Sequence, residues 1–98
     1  MNMQAMMKQA QAMQKDIMNK KEEVDRQEFI GESSLVTVKV NGKKEVLSIK
    51  INNDSLDKED IEMLEDMIVV ASNNALKKVD KELEKKLGKY GNSLPGLF

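Results

Sequence analysis

The stretch that most constrains this chain is Leu35–Ile51, LVTVKV-NG-KKEVLSIKI, two β-branched runs on either side of Asn41-Gly42. Asn-Gly between such runs predicts a hairpin with a two-residue type I′ turn, because both central residues of that turn need positive φ. The turn would pair Val40 with Lys43, Val38 with Glu45 and Val36 with Leu47. Side chains alternate faces along a strand. Val36, Val38, Val40, Leu47, Ile49 and Ile51 are therefore expected on one face, with Lys43 and Glu45 joining them only near the turn. The other face takes Thr37, Lys39, Lys44, Ser48 and Lys50, with Leu35 and Val46 its apolar members. A four-residue loop, Asn41–Lys44, keeps the same parity. An isolated hairpin is marginal in water, so the apolar face needs a cover, and the two flanking segments are both helical in pattern.

Residues 2–25 contain no Gly or Pro, and Met3, Met6, Ala10, Met13, Ile17, Lys20 and Val24 recur at alternating spacings of three and four. This is a heptad seam with one polar member, on a helix about 35 Å long. Six of the eight Met residues fall in the first 18 positions. A soft-metal site would need His or Cys to complete it, and the chain has neither. The methionines are read instead as fillers of a helix–helix seam, with an adaptable peptide groove as the functional variant. Phe29-Ile30 is expected as a short third or edge strand, and Gly31–Ser34 as a turn. Asp57 is placed to cap a second helix running from Lys58 to Leu87, with Asp60 at the position that faces back toward the cap. The first half of that helix is broadly apolar (Met67, Ile68, Val70 and Ala71 among others) and is expected to lie on the sheet. The second half narrows to Leu76, Val79, Leu83 and Leu87 and is expected to project and pair along a seam, with Gly88 as the stop. Residues 1–88 then form one α-β-β(-β)-α domain, and 89–98 a flexible C-terminal tail in which Leu94, Leu97 and Phe98 form an apolar end.

The 98-residue length fits this single domain. Without Cys or His, neither disulfides nor Ser/His/Asp or Cys/His nucleophilic catalysis is possible. The glycines occur singly, so there is no Gly-rich phosphate loop. The acidic run Asn52–Asp66 fails as a calcium loop, since Leu56 occupies a ligand position and no Gly follows. A non-enzyme is expected, without cofactor, metal or small-molecule substrate. No apolar run approaches a membrane span, and a cytoplasmic protein is expected.

The net charge is −1 and the sequence pI about 5.5, so overall charge gives no support for a polyanionic partner. Charge is nevertheless segmented. Lysines dominate both ends of the chain, and acids dominate residues 52–66. Gln4, Lys8, Gln11 and Lys15 line one face of the first helix; Lys78, Lys81, Lys85 and Lys89 recur along the second, with Lys77 beside them. Such stripes suit phosphate contact, but they equally suit a solvated helix face.

Four segments taken together, MNMQAMMKQAQAMQKDI, VTVKVNGKKEVLSIKI, LDKEDIEMLEDMIVVASNNALKK and LPGLF, resemble the YbaB/EbfC family of bacterial nucleoid-associated proteins. The likeness runs through nearly the whole chain in order. Lys58 departs from it, since Pro is expected there, and Gly31–Leu35 is less Gly-rich than usual. The resemblance implies an α/β two-layer fold of helix, small antiparallel sheet and helix. It further implies a homodimer in which sheets associate and helical arms project. DNA binding with little sequence preference is implied as well, with effects on nucleoid organisation or gene expression. Gln4, Lys8, Gln11, Lys15, Lys78, Lys81 and Lys85 are then the candidate DNA contacts. Val36, Val38, Val40, Leu47, Ile49, Ile51, Met67, Ile68, Val70 and Ala71 are the candidate core and dimer residues. The alternative expectation, from the helix–hairpin–helix pattern and the acidic pI, is a holdase-like interaction module.

Overall fold

The first helix, α1 (Met3–Asp25), begins where the Asn2 side chain accepts the Gln4 backbone N–H at 3.0 Å. The computed structural model describes residues 2–53 and 55–93. Three strands follow, β1 (Glu28–Ser33), β2 (Val36–Asn41) and β3 (Val46–Ile51). A 3-10 turn (Lys58–Asp60) leads into α2 (Ile61–Leu87), and a second 3-10 stretch spans Gly88–Ser93. The sheet is antiparallel in the order β1-β2-β3. Sequence and structure agree on an α/β arrangement of N-terminal helix, small sheet and long C-terminal helix.

The turns differ from expectation. Pairing of Ser33 with Val36 leaves Ser34-Leu35 as the two-residue turn, with Ser34 at φ 49°. Gly31 lies within β1 and does not open a turn. At the second hairpin the left-handed residue is Lys44, φ 65°, while Asn41 keeps a negative φ. The Lys44 N–H reaches the Asn41 carbonyl at 3.0 Å, closing a three-residue loop, Gly42–Lys44. Asn41 acts through its side chain, whose oxygen accepts the Lys43 and Glu45 N–H groups at 2.9 and 3.0 Å.

This loop also changes the register. Val36 faces Ile51 and Val38 faces Ile49, and beyond a bulge Val40 faces Val46. The expected pairs Val36/Leu47, Val38/Glu45 and Val40/Lys43 do not form. Leu47 is the extra residue of the bulge, and Val46 takes the place opposite Val40. A three-residue loop reverses side-chain parity and the bulge reverses it again. Ile49 and Ile51 therefore still share a face with Val36 and Val38.

α2 lies across β1 and β2 on that face, with Phe29, Val36, Val38 and Val40 buried beneath it. Burying each valine contributes about 1.5–3 kcal/mol. The closest approach is at Gly31, where a Cβ would sit 2.0 Å from the Ala71 carbonyl oxygen and 2.4 Å from the Ala75 nitrogen. Only glycine below and alanines above let the helix backbone rest on the strand. From there every fourth residue of α2 is buried: Ala71, Ala75, Val79, Leu83 and Leu87. The expected division of α2 holds at its middle, since Ala71 and Ala75, which rest on β1, belong to the half expected on the sheet, but it does not hold at the start of the helix. The second half packs, while in the first half Leu64, Met67 and Ile68 are half-buried and Ile61, Met63, Val69 and Val70 stay exposed. Small size, rather than breadth of apolarity, selects the crossing point.

α1 packs antiparallel against the end of α2. Val24 is buried, Ile17 half-buried, and Lys86 pairs with Glu23 at 3.5 Å. The α1 terminus also sits on the second hairpin loop, where a Cβ on Gly42 would lie 1.8 Å from the Val24 carbonyl oxygen. Every residue from Asn2 to Lys15 is exposed. The first half of the seam, Met3, Met6, Ala10 and Met13, thus has no partner among the described residues, and the molecule extends 70 × 20 × 15 Å. α2 ends at Leu87 with Gly88 as its cap, as expected, but without the left-handed conformation of a glycine stop. Gly88 keeps right-handed helical angles (φ −57°, ψ −34°), and the chain continues into the 3-10 stretch. The expected apolar tail, Leu94–Phe98, lies outside the described residues.

Candidate nucleic-acid interface

Gln4, Lys8, Gln11 and Lys15 are all exposed on the free half of α1, on the side opposite the packed Ile17 and Val24. Lys78, Lys81 and Lys85 are exposed along α2, beside its buried stripe. Lys20, Lys21, Lys39, Lys44, Lys86 and Lys89 each lie within 4.0 Å of a carboxylate, the tightest being Lys44–Asp80 at 2.7 Å. Among the described residues, Lys8, Lys15, Lys43, Lys50, Lys58, Lys77, Lys78, Lys81 and Lys85 have no such partner. Exposed ion pairs add little stability; here they sort the lysines into those already neutralised and those available to an anion.

Lys78 has a second engagement that its spacing did not reveal. Its Nζ donates to the Ile30 carbonyl oxygen at 2.5 Å, and Asn74 donates to the Glu32 carbonyl at 3.3 Å. These two side chains cap the outer edge of β1, which would otherwise invite another strand. Asn74, Lys77, Lys78 and Lys81 line a groove along that edge. On α1, Gln11, Gln14, Lys15 and Met18 line a shallower one.

The candidate core and dimer residues separate in the same way. Val36, Val38, Val40 and Ala71 are buried, and Met67 and Ile68 half-buried. Leu47, Ile49, Ile51 and Val70 are exposed, at 40–48% of their full surface.

The base of the α1 arm is held by a polar cluster. The Tyr90 hydroxyl donates to Asp16 at 2.5 Å, Lys20 pairs with Asp16 at 3.2 Å, and the Lys20 and Lys89 ammonium groups lie over the Tyr90 ring. This accounts for the polar Lys20 within an apolar seam. The Tyr90 hydrogen bond, then Lys20, hold the Asp16 carboxyl below its ordinary range; the same bond holds the Tyr90 phenol above its own. A lowered carboxyl contributes stability above its unfolded value, near 3.8, that is lost as pH falls through the folded value. The raised phenol contributes stability below about pH 10 that is lost as pH rises through its folded value. Asp16→Asn is therefore expected to lower the thermal midpoint at about pH 7, with the gap to the unmodified protein closing toward about pH 2.

A sheet roofed by one helix, with a second helix free for half its length and unpaired lysines on both, defines a helical-arm protein that presents a surface. The chain belongs to the YbaB/EbfC DNA-binding family, whose model matches residues 1–94. It is 44% identical over 97 residues to a nucleoid-associated protein of Enterococcus faecalis, covering 97% of this chain and 93% of that one. It is 46% identical over 97 residues to a nucleoid-associated protein of Lactococcus lactis subsp. cremoris, covering 97% and 98%. A nucleoid-associated protein of Alkaliphilus metalliredigens is 43% identical over 101 residues, covering 99% and 89%. This is a family of DNA-binding proteins and not of enzymes. Among the described residues, no helix is long and apolar enough to cross a membrane.

Proposed function

We propose that this chain binds DNA as a homodimer with little sequence specificity, in the cytoplasm at the nucleoid, and thereby alters DNA organisation or gene expression. The observation that carries the reading is the sorting of the lysines. Among the described residues, Lys8, Lys15, Lys77, Lys78, Lys81 and Lys85 stand without carboxylate partners on exposed surfaces of α1 and α2, while six lysines are paired and the other three unpaired ones, Lys43, Lys50 and Lys58, lie outside the two helices. Contacts from these lysines to phosphates would carry no sequence information of their own; Gln4 and Gln11 are suited to sugars or base edges. With a net charge of −1, binding depends on this local array and not on a long-range field.

The dimer reading rests on β3. All six of its residues are exposed, four of them apolar, and among the described residues no side chain caps its edge as Asn74 and Lys78 cap β1. A second copy would cover Val46, Leu47, Ile49 and Ile51. Reversing the polarity of that surface with Ile49→Lys and Ile51→Lys is expected to convert a species of twice the chain mass into one of single mass, read by sedimentation equilibrium. A wild-type protein of single mass at micromolar concentration counts against the dimer.

A low-salt DNA titration tests the function. With about six phosphates neutralised, affinity is expected to fall on the order of a thousandfold between roughly 50 and 200 mM salt. Absence of binding at low salt, or binding indifferent to salt, would overturn the reading. Suppression of client aggregation without DNA binding would favour the holdase instead.

A further inference from the structure

Met3, Met6, Met7, Met13 and Met18 all lie on α1, and all are exposed, from 39% at Met13 to 75% at Met3. The chain has no cysteine, so thioethers are its only sulfur. The same helix bears Gln4, Lys8, Gln11 and Lys15, and Met18 shares the shallow groove of Gln11, Gln14 and Lys15. On α2, Met67 is half-buried against the core, while Met63, 45% exposed and away from the α1 lysines and glutamines, serves as an internal reference for a freely accessible sulfur. We propose that α1 is an oxidation-sensitive arm: hydroperoxides convert its methionines to sulfoxides, and the grip on DNA weakens as they do. The inference rests on the DNA reading above.

The chemistry needs only the peroxide as co-reactant. A sulfur lone pair attacks one peroxide oxygen, the O–O bond breaks and an S–O bond forms. Sulfur is oxidised by two electrons and the peroxide reduced by two; the departing oxygen takes a proton and leaves as water or an alcohol. Each event turns a flexible apolar side chain into a polar one with a strong acceptor oxygen. At Met18 that oxygen sits beside Lys15 and Gln11 and competes with phosphate oxygens for their hydrogens. Along Met3, Met6 and Met13 it places polar groups on an apolar helix face.

The test treats the purified full chain with hydrogen peroxide, maps oxidation by peptide mass, and measures binding to one duplex by fluorescence anisotropy. The expected result is oxidation of the α1 sulfurs well ahead of Met67, with DNA affinity reduced about fivefold, near the effect of removing one lysine–phosphate pair. Helix content by circular dichroism stays unchanged. A variant with all five residues changed (Met3→Leu, Met6→Leu, Met7→Leu, Met13→Leu and Met18→Leu) keeps helix propensity and keeps its affinity through the same treatment. Oxidation of Met67 in step with α1, unchanged affinity after oxidation, or an equal loss in the leucine variant each overturn the proposal. Failure of the DNA reading shows separately, as no binding by the untreated chain. It overturns the functional half, while the peptide map still decides the chemical half.

Discussion

Gly31→Ala is expected to lower the thermal midpoint by roughly 15 °C, the equivalent of about 3 kcal/mol for a domain of this size. The added methyl group would meet Ala71 O at 2.0 Å and Ala75 N at 2.4 Å. Both are backbone atoms, so no rotamer change relieves the overlap. The helix must lift from β1, and Phe29, Val36 and Val38 lose part of their cover. For the same reason, trimming the helix with Ala75→Gly is expected not to rescue the variant. Thermal and urea unfolding followed by circular dichroism provide the measurement. A drop of only a few degrees would mean that α2 does not rest on β1 at this point.

The second large effect concerns binding. Joint replacement Lys8→Glu, Lys15→Glu, Lys81→Glu and Lys85→Glu is expected to weaken DNA binding by at least about a hundredfold at low salt. The salt slope should flatten by about 0.9 for each phosphate no longer neutralised. All four side chains are exposed, so the fold should survive, as the unfolding midpoint will show. Lys78 is left out deliberately. Its ammonium group caps the Ile30 carbonyl on the edge of β1, and reversing it would confound weaker phosphate binding with an uncapped strand. A control reversing Lys43 and Lys58, on the hairpin loop and the 3-10 turn, compared per charge reversed, separates local contact from net charge. If the control weakens binding as much per charge as the four helix replacements, the helix faces are not the interface.

Much of the architecture was legible in short-range pattern. The Gly- and Pro-free run after Asn2, the alternating strands around Asn41-Gly42 and the long apolar-periodic run to Leu87 each specified an element type. The parity of Val36, Val38, Ile49 and Ile51 came through although the turn type and the register were both misread, because two one-residue shifts cancelled. The lysine and glutamine stripes were equally visible as spacings. Their surroundings were not: spacing cannot show that Lys78 caps a strand, or that Lys44 spends its charge on Asp80.

Sequence alone determined most of what is helix and strand and the shared face of Val36, Val38, Ile49 and Ile51, though not the strand at Gly31–Ser33 or the place of Leu47, since backbone propensity and side-chain alternation act between near neighbours along the chain. Tertiary structure decided at which residues α2 meets the sheet, where α1 leaves its partner, and which lysines remain unpaired. Those outcomes depend on approaches between residues far apart in the chain: Gly31 under Ala71 and Ala75, Gly42 under Val24, Tyr90 on Asp16. A glycine or a tyrosine reads the same in the sequence whether or not a distant backbone comes to rest against it.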